Sequence, residues 1–441
     1  MASYPLRRWS PGKYLFRLLL GFGLAWQFCG LLPAKPAQTI TLTVAGFGYQ
    51  AGERLAREGL TEFSRKTGIE VEFVPAWGTS ADQVALIRRT LDDHFRTPDV
   101  YLIDVIWPGT LHRDLLDLTP YLNNDAREQL PELLNNDTIS GRVVSLPFYM
   151  NAGLLYYRTD LLKKCGYHRP PDTWKVLERM AARIQRGERA AGHRTFWGYV
   201  WQGGAYEGLT CNALEWQASF GGGRIIEPDG TVSVNNPRTA KALRMAAAWI
   251  GRISPPSILS YRESDSLNLF RSGNAAFLRY WSSGYRANSK AGSAVRGHFD
   301  VTLLPAGPHK RAQTMGGFQL AVSRYSAHPR EAAELVLYLT GRKAQRTRAI
   351  EEGYLPAIPG LYRDPEVLEA VPEARIVEDA GPASWVSRPS SIAGGQYSAV
   401  SKQYYQAVHR VLAGQCGPEK ALEDLQKQLV DLMTHSGAHN K

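Results

Sequence analysis

One apolar segment, residues 99–109 with the sequence DVYLIDVIWPG, constrains the fold of this chain more than any other feature. An apolar run of this length that ends in Pro-Gly is typical of a strand buried on both faces of a parallel sheet. Asp104 interrupts the run, and an ionised carboxylate is costly to bury unless it is paired or hydrogen-bonded. We therefore expect Asp104 at the carboxyl end of the strand, facing a polar ligand. The alternative is an aspartate that caps a helix beginning near residue 110.

Trp107 follows Asp104 by three residues. A carboxylate next to an indole suits a carbohydrate, because the carboxylate accepts hydrogen bonds from hydroxyl groups while the aromatic ring covers an apolar face of the sugar. The segment thus indicates a sugar-binding site at the end of the strand.

The segment before this strand predicts alternating strands and helices. The expected elements are a strand at 39–45, a helix at 51–66, a strand at 69–74 and a helix from about residue 80. This order predicts a parallel sheet covered by helices, whose ligands bind outside the carboxyl ends of the strands. Phe47, after the first strand, and Asp82, at the start of the second helix, are therefore candidate site residues beside Asp104.

Residues 143–157 contain two apolar runs that are joined without a turn, which predicts one long extended segment. Pro147 within this segment is compatible only with a sheet edge or with a break in the strand pairing. We expect the strand to leave one domain near Phe148 and to enter another near Ala152, with Asn151 at the crossing.

Later strands supply further candidates. The expected strands lie at 274–281, 299–304 and 318–323. The first ends at Trp281, which is either a platform for a sugar ring or an ordinary core residue. The last follows Gly316 and Gly317, which either let backbone N–H groups approach a ligand or form a β-turn.

Polar residues at two other places complete the set. Tyr206 and Glu207 begin a helix that we expect over 207–220, where they either line a cleft or place a favourable charge in the first turn. Arg388 lies in an irregular segment. Its guanidinium could donate to two hydroxyl groups, and the alternative is an ordinary surface arginine.

Composition and motifs exclude several classes of function. The chain has 441 residues and a net charge of +11, but Lys and Arg are scattered without a nucleic-acid-binding signature, so we expect no nucleic-acid partner. P-loop, HExxH and GxSxG motifs are missing and the 10 histidines are dispersed, so we expect neither a cofactor nor a metal. A glycoside hydrolase would need two carboxylates facing one bond, and Asp104, Glu207 and Glu215 are the residues that could be recruited.

Residues 1–37 predict a signal peptide or an N-terminal anchor. Basic residues precede an apolar stretch at 18–32, and small residues and prolines follow it. Cys29 would suit lipid attachment, although Gln27 and Phe28 before it are large; cleavage, lipidation and retention as an anchor are all open. The body of the chain is therefore expected to be exported, either periplasmic or attached to the outer face of the cytoplasmic membrane.

Three cysteines lie in the body of the chain, namely Cys165, Cys211 and Cys416. Export permits a disulfide between two of them, and buried free thiols are the alternative. Their spacing fits no zinc site.

Taken in order, these segments resemble the sugar-binding proteins of ABC importers in the family-1 extracellular solute-binding group, and among them the trehalose/maltose-binding members. The resemblance covers residues 39–435 and rests on the sequences DVYLIDVIWPG at 99–109, PFYMNAGLLYYRTDLL at 147–162, YEGLTCNALEW at 206–216, GNAAF at 273–277, GGFQLAV at 316–322 and GYLP at 353–356. It implies an α/β fold of the type II periplasmic-binding-protein kind, with two α/β lobes, a hinge of crossing strands and a cleft between the lobes that holds the sugar.

The resemblance also implies which residues contact the sugar and which partners the protein has. By position the contacting residues are Asp104, Asn151, Trp281, Gly316, Gly317 and Arg388, with Glu207, Tyr206, Asp82 and Phe47 as further candidates. The implied partners are a disaccharide or small oligosaccharide and the permease subunits of an importer with their cytoplasmic ATPase.

These observations define an expected organisation. Residues 1–37 would be the signal peptide or anchor, 38–149 plus 300–352 the first lobe, and 150–299 plus 353–436 the second lobe. We expect a monomeric receptor without enzymatic activity that delivers its sugar to the permease. The alternative is an exported carbohydrate-active enzyme of the glycoside hydrolase type that uses cleft carboxylates.

Overall fold

A mixed β-sheet with helices packed against it organises the body of the chain. The computed structural model describes residues 39–47, 53–75 and 80–437, all of which belong to one compact unit. The predictions for the leader, residues 1–37, lie outside the described residues.

The elements have the following bounds. The strands are β1 (Thr41–Phe47), β2 (Glu70–Pro75), β3 (Val100–Asp104), β4 (Thr138–Ile139), β5 (Arg142–Val143), β6 (Leu146–Arg158), β7 (Trp197–Val200), β8 (Ala275–Trp281), β9 (Phe299–Leu303), β10 (Gln313–Val322) and β11 (Trp385–Val386). The helices are α1 (Glu53–Thr67), α2 (Ser80–Asp92), α3 (Pro108–Leu111), α4 (Asn124–Arg127), α5 (Pro131–Asp137), α6 (Thr159–Lys164), α7 (Trp174–Ala190), α8 (Glu207–Ser219), α9 (Pro237–Ala247), α10 (Glu263–Arg271), α11 (Gly284–Ser289), α12 (Pro329–Thr340), α13 (Arg342–Glu352), α14 (Pro365–Ala370), α15 (Glu373–Ala380), α16 (Ser390–Ala393), α17 (Tyr397–Leu412) and α18 (Pro418–Gly437).

The N-terminal part of the sheet confirms the predicted alternation of strands and helices. Strands β1, β2 and β3 are parallel, with Thr41 opposite Glu70 and Val44 opposite Val100. Helices α1 and α2 follow β1 and β2 in the chain, as the sequence pattern requires. Every residue of β3 before Asp104 is buried, and Asp104 is the last, partly exposed residue of the strand.

Strand β6 confirms the long extended segment predicted at 143–157. Its first part pairs antiparallel with β10, up to Ala152 opposite Met315. Its second part pairs antiparallel with β8 and β9, starting with Gly153 opposite Trp281. The sheet path β2-β1-β3-β10-β6-β8-β7 therefore passes through one strand whose partners change next to Asn151.

Strand β10 corrects a prediction. The sequence predicts a strand at 318–323 that follows Gly316 and Gly317, but both glycines lie inside the strand, which begins at Gln313, so they do not form a β-turn. The physical reason is a close approach of two backbones. Gly317 has a φ of +131°, and a Cβ atom there would lie 2.3 Å from the Tyr149 carbonyl oxygen in β6. The glycines permit the pairing of β10 with β6 instead of ending the strand.

Buried aromatic rings from α7, α8 and the segments after β7 and α9 form the base on which β8 rests. Trp174, Trp201, Trp216 and Trp249 are all buried, and Trp201 and Trp216 meet edge to face with ring centroids 5.0 Å apart. Burying a large apolar side chain contributes about 1.5–3 kcal/mol, and such an aromatic pair adds about 0.5–1.5 kcal/mol. This part of the core is therefore a stable support for residues at the end of β8.

Two further expectations can be compared with the described residues. Cys165, Cys211 and Cys416 are free thiols, so no disulfide joins them; of the three only Cys211 is buried, and Cys165 and Cys416 are partly exposed. Across 39–47, 53–75 and 80–437, no helix combines the length and apolar character needed to cross a lipid bilayer.

Candidate functional site

Strand pairing brings several predicted site residues into one region of the sheet. Asn151 in β6 lies opposite Gly316 in β10, and two positions further along β6, Gly153 lies opposite Trp281 in β8. Asp104 ends β3, which pairs with the other edge of β10. The carboxylate, the amide and the indole thus come from β3, β6 and β8 of the same sheet, with β10 between β3 and β6.

Asp104 has few hydrogen-bond partners. Within the described residues its hydrogen bond comes from the Ile106 N–H, 3.2 Å from Oδ1. Burial raises the pKa of Asp104 to about 6, the Arg388 guanidinium opposes the rise, and the Glu207 carboxylate adds to it. Asp104 is therefore mostly ionised at neutral pH, with acceptor capacity left for hydroxyl groups.

The structure answers two questions about this segment: whether Asp104 caps a helix, and whether Trp107 can cover a sugar. Helix α3 begins at Pro108 with Trp107 at its N-cap and no side-chain cap, so Asp104 is not a helix cap. Trp107 is only 3% exposed and belongs to the hydrophobic core. The interpretation of Trp107 as the ring that covers a sugar is therefore wrong, because its indole is enclosed by other core residues.

Arg388 and Glu207 form an ion pair beside Asp104. Arg388 is buried and is not a surface arginine; its Nη1 donates to Glu207 Oε1 at 2.9 Å and its Nη2 to the Met315 carbonyl oxygen at 3.2 Å. Glu207 also accepts from the Tyr397 hydroxyl and, at 2.6 Å, from the Ser401 hydroxyl. It begins α8, where its charge is favourable. These contacts make Glu207 the anchor that orients the Arg388 guanidinium.

Asn151 faces the end of β8. Its Oδ1 accepts a hydrogen bond from the Ser282 hydroxyl at 3.0 Å and one from the Ser283 N–H at 3.3 Å. Since these bonds use the amide oxygen, the NH₂ group is the donor that Asn151 can offer to a ligand.

Trp281 ends β8 with a partly exposed ring. The Arg279 guanidinium carbon lies 4.3 Å from the centroid of the indole. A Cβ atom at Gly316 would lie 2.9 Å from Trp281 Cζ3, so the ring reaches over the glycine backbone. Partial exposure distinguishes Trp281 from an enclosed core residue, and its role as a platform for a sugar ring stays a prediction.

Tyr206 contacts Glu263, a residue near Asp104 that the sequence analysis did not identify. The Tyr206 hydroxyl donates to Glu263 Oε2 at 2.7 Å, and the Arg262 guanidinium carbon lies 4.9 Å from the centroid of the Tyr206 ring. The charge of Glu263 contributes to the raised pKa of Asp104, so the two carboxylates are close enough to interact. The sequence signal at Glu263 is only an acidic first turn of a helix, which many surface helices share.

Two other predicted site residues lie further along the same edge. Phe47 ends β1, where its backbone pairs with Pro75, and Asp82 lies in the first turn of α2 with an exposed side chain. Because β1, β2 and β3 are parallel, these positions share the edge at which Asp104 lies. The Phe47 side chain lies outside the described part of the chain, and the roles of both residues stay predictions.

A large groove lies elsewhere in the molecule. It has a volume of about 710 Å³ and runs between α1 and α12–α13. Among its charged groups, Glu62 pairs with Lys66 at 2.8 Å and with Lys343 at 2.9 Å. The cavity beside Arg388 is only about 10 Å³, about the room that one water molecule needs. We place the candidate site at Asp104 because strand pairing brings the predicted residues Asp104, Asn151 and Trp281 to one sheet, with Arg388 close enough to Asp104 to lower its pKa.

The chemistry of the site is hydrogen bonding and ring contact. Asp104 is an acceptor, Asn151 and Arg388 are donors, and Trp281 offers an aromatic face. Within the described ranges, no group of three or more His, Cys, Asp and Glu side chains is arranged to hold a metal ion. The set suits a ligand that presents several hydroxyl groups and an apolar face.

Comparison with known proteins gives a consistent result. The family model described as bacterial extracellular solute-binding protein matches residues 50–346. A probable ABC transporter-binding protein of Deinococcus radiodurans is 41% identical over 416 residues, which are 94% of this chain and 97% of that protein. A mannitol-binding protein of Pseudomonas aeruginosa is 25% identical over 331 residues, 70% of this chain and 73% of its own.

Solved structures agree on the fold. The maltose-bound MalE3 of T. maritima superposes with a TM-score of 0.81 and 32% identity, covering 89% of this chain and 100% of that chain. A solute-binding protein of Thermotoga lettingae bound with α-D-tagatose has a TM-score of 0.77 and 23% identity, covering 90% and 100%. The predicted fold, α/β of the periplasmic-binding-protein type, is confirmed.

Proposed function

The chain belongs to the bacterial extracellular solute-binding protein family, and from this premise we propose that it binds a disaccharide or small oligosaccharide of the trehalose/maltose type for an ABC importer. Members of this family are the exported substrate-binding components of ABC transporters and are not enzymes. The observation that carries the proposal is the placement of Asp104, Asn151 and Trp281 on strands of one sheet, with Arg388 beside Asp104.

The size of the proposed ligand rests on a relative. The solved structure with 32% identity holds maltose, while the mannitol-binding protein shares 25% identity with this chain. A disaccharide presents two rings, of which one can lie on Trp281 while the hydroxyls of the other reach Asp104 and Arg388. Such hydrogen bonds give specificity, since an analogue that lacks one hydroxyl leaves a buried polar group unpaired.

We propose two lobes, 38–149 plus 300–352 and 150–299 plus 353–436, with β6 and β10 as crossing strands. The change of pairing partners along β6 next to Asn151 supports this division. Strand β9 pairs with the same part of β6 as β8 does, so β9 lies with the second lobe and the boundary proposed at residue 300 shifts to a position after Leu303. A ligand that contacts both lobes would stabilise the closed form relative to the open one, and the closed form would dock on the permease pair with its ATPase.

The alternative, an exported glycoside hydrolase, has less support. Hydrolysis needs two carboxylates that flank one bond. Glu207 is occupied by Arg388, Tyr397 and Ser401, and Glu215 is completely buried in an ion pair with Arg279. Of the three carboxylates considered, Asp104 is therefore left without a partner that could act as the second catalytic acid or nucleophile.

The test is calorimetric titration of the purified protein, without its leader, with trehalose, maltose, maltotriose and mannitol. We expect saturable one-site binding of at least one disaccharide, and intact ligand when the bound sugar is recovered and analysed. Release of monosaccharides would favour the hydrolase. The absence of binding and of any thermal shift across the panel would contradict the proposal.

A further inference from the structure

A buried ion pair lies next to Trp281 and has no part in the binding scheme above. Arg279 in β8 and Glu215 in α8 are both completely buried. Arg279 Nε donates to Glu215 Oε2 at 3.0 Å and Nη2 donates to Glu215 Oε1, so the pair is bidentate. Desolvating two charges is costly, and a core of this size has apolar alternatives. The position of this pair therefore calls for a specific role.

The pair is held by neutral groups on every side. Gln202 Oε1 accepts from Arg279 Nη1 at 3.2 Å, and Gln202 Nε2 donates to the Ser266 hydroxyl at 2.7 Å and to the Arg279 carbonyl oxygen at 3.0 Å. The Thr314 N–H in β10 donates to Glu215 Oε1 at 3.2 Å. These bonds connect β8, β10 and α8, the elements that carry Trp281, the glycine pair and Glu207. Several hydrogen bonds that converge on one ion pair in this way favour one arrangement of its members.

The absence of a side chain at Gly153 leaves room for the Glu215–Arg279 pair. Gly153 in β6 lies opposite Trp281. A Cβ atom at Gly153 would lie 2.2 Å from Glu215 Oε1 and 2.6 Å from Arg279 Nη2. Any larger residue would therefore displace the ion pair from the crossing strand.

Arg279 connects the network to the indole. Residues two apart on a strand project to the same face, and the Arg279 guanidinium carbon lies 4.3 Å from the centroid of the Trp281 ring. A guanidinium over an indole face is attractive, more so where water is excluded. The guanidinium covers one face of the ring and favours one orientation of it, while Trp281 as a whole stays partly exposed.

We infer that the Glu215–Arg279 pair is a positioning device that fixes the Trp281 ring as a preorganised platform for a sugar ring. This inference rests on the proposed function. Ordering the ring before binding removes part of the entropic cost that the ligand would otherwise meet. Glu215 and Arg279 are positioning residues, since they act through Trp281 and are completely buried themselves.

The test is a double-mutant cycle in the full body of the protein, with maltose as the probe. Glu215→Gln and Arg279→Met are introduced together, so that no lone buried charge remains and the fold is kept. We expect maltose affinity to fall about tenfold when Trp281 is present, and less than about twofold when Trp281→Ala is already in place. Arg279→Lys keeps the cation and is expected to restore part of the affinity.

The control removes another ion pair that involves the same strand, β6, but lies away from Trp281. Arg158 and Asp160 pair at the far end of β6, and Arg158→Met with Asp160→Asn is expected to leave maltose affinity unchanged. Equal losses from the Glu215/Arg279 change in both Trp281 backgrounds, or no loss in either, would overturn the inference. If Trp281→Ala alone leaves affinity unchanged, the proposed site is wrong instead.

A second measurement needs no ligand. The emission that is lost on Trp281→Phe reports this one indole among the 11 tryptophans. We expect acrylamide to quench that component more strongly when the ion pair is replaced, because the ring is no longer held against Arg279. Unchanged quenching would overturn the inference even if maltose is not the ligand.

Discussion

The two sides of the site differ in how their charged groups are satisfied. On the β8 side, Glu215 and Arg279 are completely buried and bidentate, with further bonds to Gln202 and Thr314. On the β3 side, Asp104 is partly exposed, has one hydrogen bond from Ile106 within the described residues, and has its pKa raised to about 6 by burial.

This difference separates support from recognition. Charges that are fully partnered inside the protein have no capacity left for a ligand, so they fix geometry. A carboxylate with few partners is held at a cost to stability, which a ligand can offset by donating hydroxyl groups. The site thus combines a rigid aromatic side with a polar side that remains incomplete without its sugar.

The largest expected effect is on stability and concerns the rigid side. Glu215→Ala leaves Arg279 buried without its counter-charge, and we expect the free energy of unfolding in urea to fall by about 3–5 kcal/mol. Glu215→Gln combined with Arg279→Met is the control and is expected to lose much less, because no lone charge remains. A loss below about 1 kcal/mol for the single variant would show that the pair is not held as the structure indicates.

The next effect is on affinity and concerns the polar side. Asp104→Ala removes an acceptor for ligand hydroxyls, and we expect the disaccharide to bind about 1–3 kcal/mol more weakly while the fold is kept. Asp229→Ala is the matched control, since Asp229 is exposed in a surface turn, where it accepts from the Thr231 N–H, and no site is proposed there. Calorimetry that gives equal affinities for wild type and Asp104→Ala would remove Asp104 from the site.

The two sides also differ in how far the sequence predicts them. Strand β3 ending at Asp104, the long strand β6 and the start of α8 at Glu207 follow from local signals, because apolar runs, proline and helix stops act over a few residues. The polar side is therefore largely visible in the sequence.

The support is not visible, because it depends on distant contacts. Arg279 contacts Glu215 across 64 positions of the sequence, and no periodicity reports such a pair. On the polar side the positions of the residues are visible, but the contact of Arg388 with Glu207 across 181 positions is not. Gly316 and Gly317 were expected to precede a strand because glycine usually interrupts one. What glycine permits here, the close approach of β10 to β6, depends on a backbone that only the fold brings near.

A smaller effect tests how much the ionised Asp104 carboxylate lowers the stability of the folded protein. The folded-state pKa of Asp104, about 6, lies above its ordinary value of 3.8, so protonated Asp104 favours the folded state and that stability is lost as pH rises from about 4 to about 6. Asp104→Asn removes this loss. Two units would correspond to about 3 kcal/mol, and since the side chain is partly exposed we expect a gain of about 1–2 kcal/mol at pH 7.5.

The pH dependence provides the control for this prediction. Near pH 4, where Asp104 is protonated in the folded protein, the unfolding free energies of wild type and Asp104→Asn are expected to converge. A gain that persists unchanged at pH 4 would mean that the charge of Asp104 is not its cause.

The smallest effect concerns the place where the two sides meet. Gly316→Ala puts a Cβ atom 2.9 Å from Trp281 Cζ3, so the ring must shift by a few tenths of an ångström; we expect disaccharide affinity to weaken by about 1 kcal/mol or less. Gly187→Ala is the matched control, because Gly187 lies in α7 with nothing near its Cβ position. That change is expected to stabilise the helix by about 0.5–1 kcal/mol and leave affinity unchanged. If Gly316→Ala binds as tightly as wild type, the position of the Trp281 ring does not limit recognition, and the rigid side would serve stability alone.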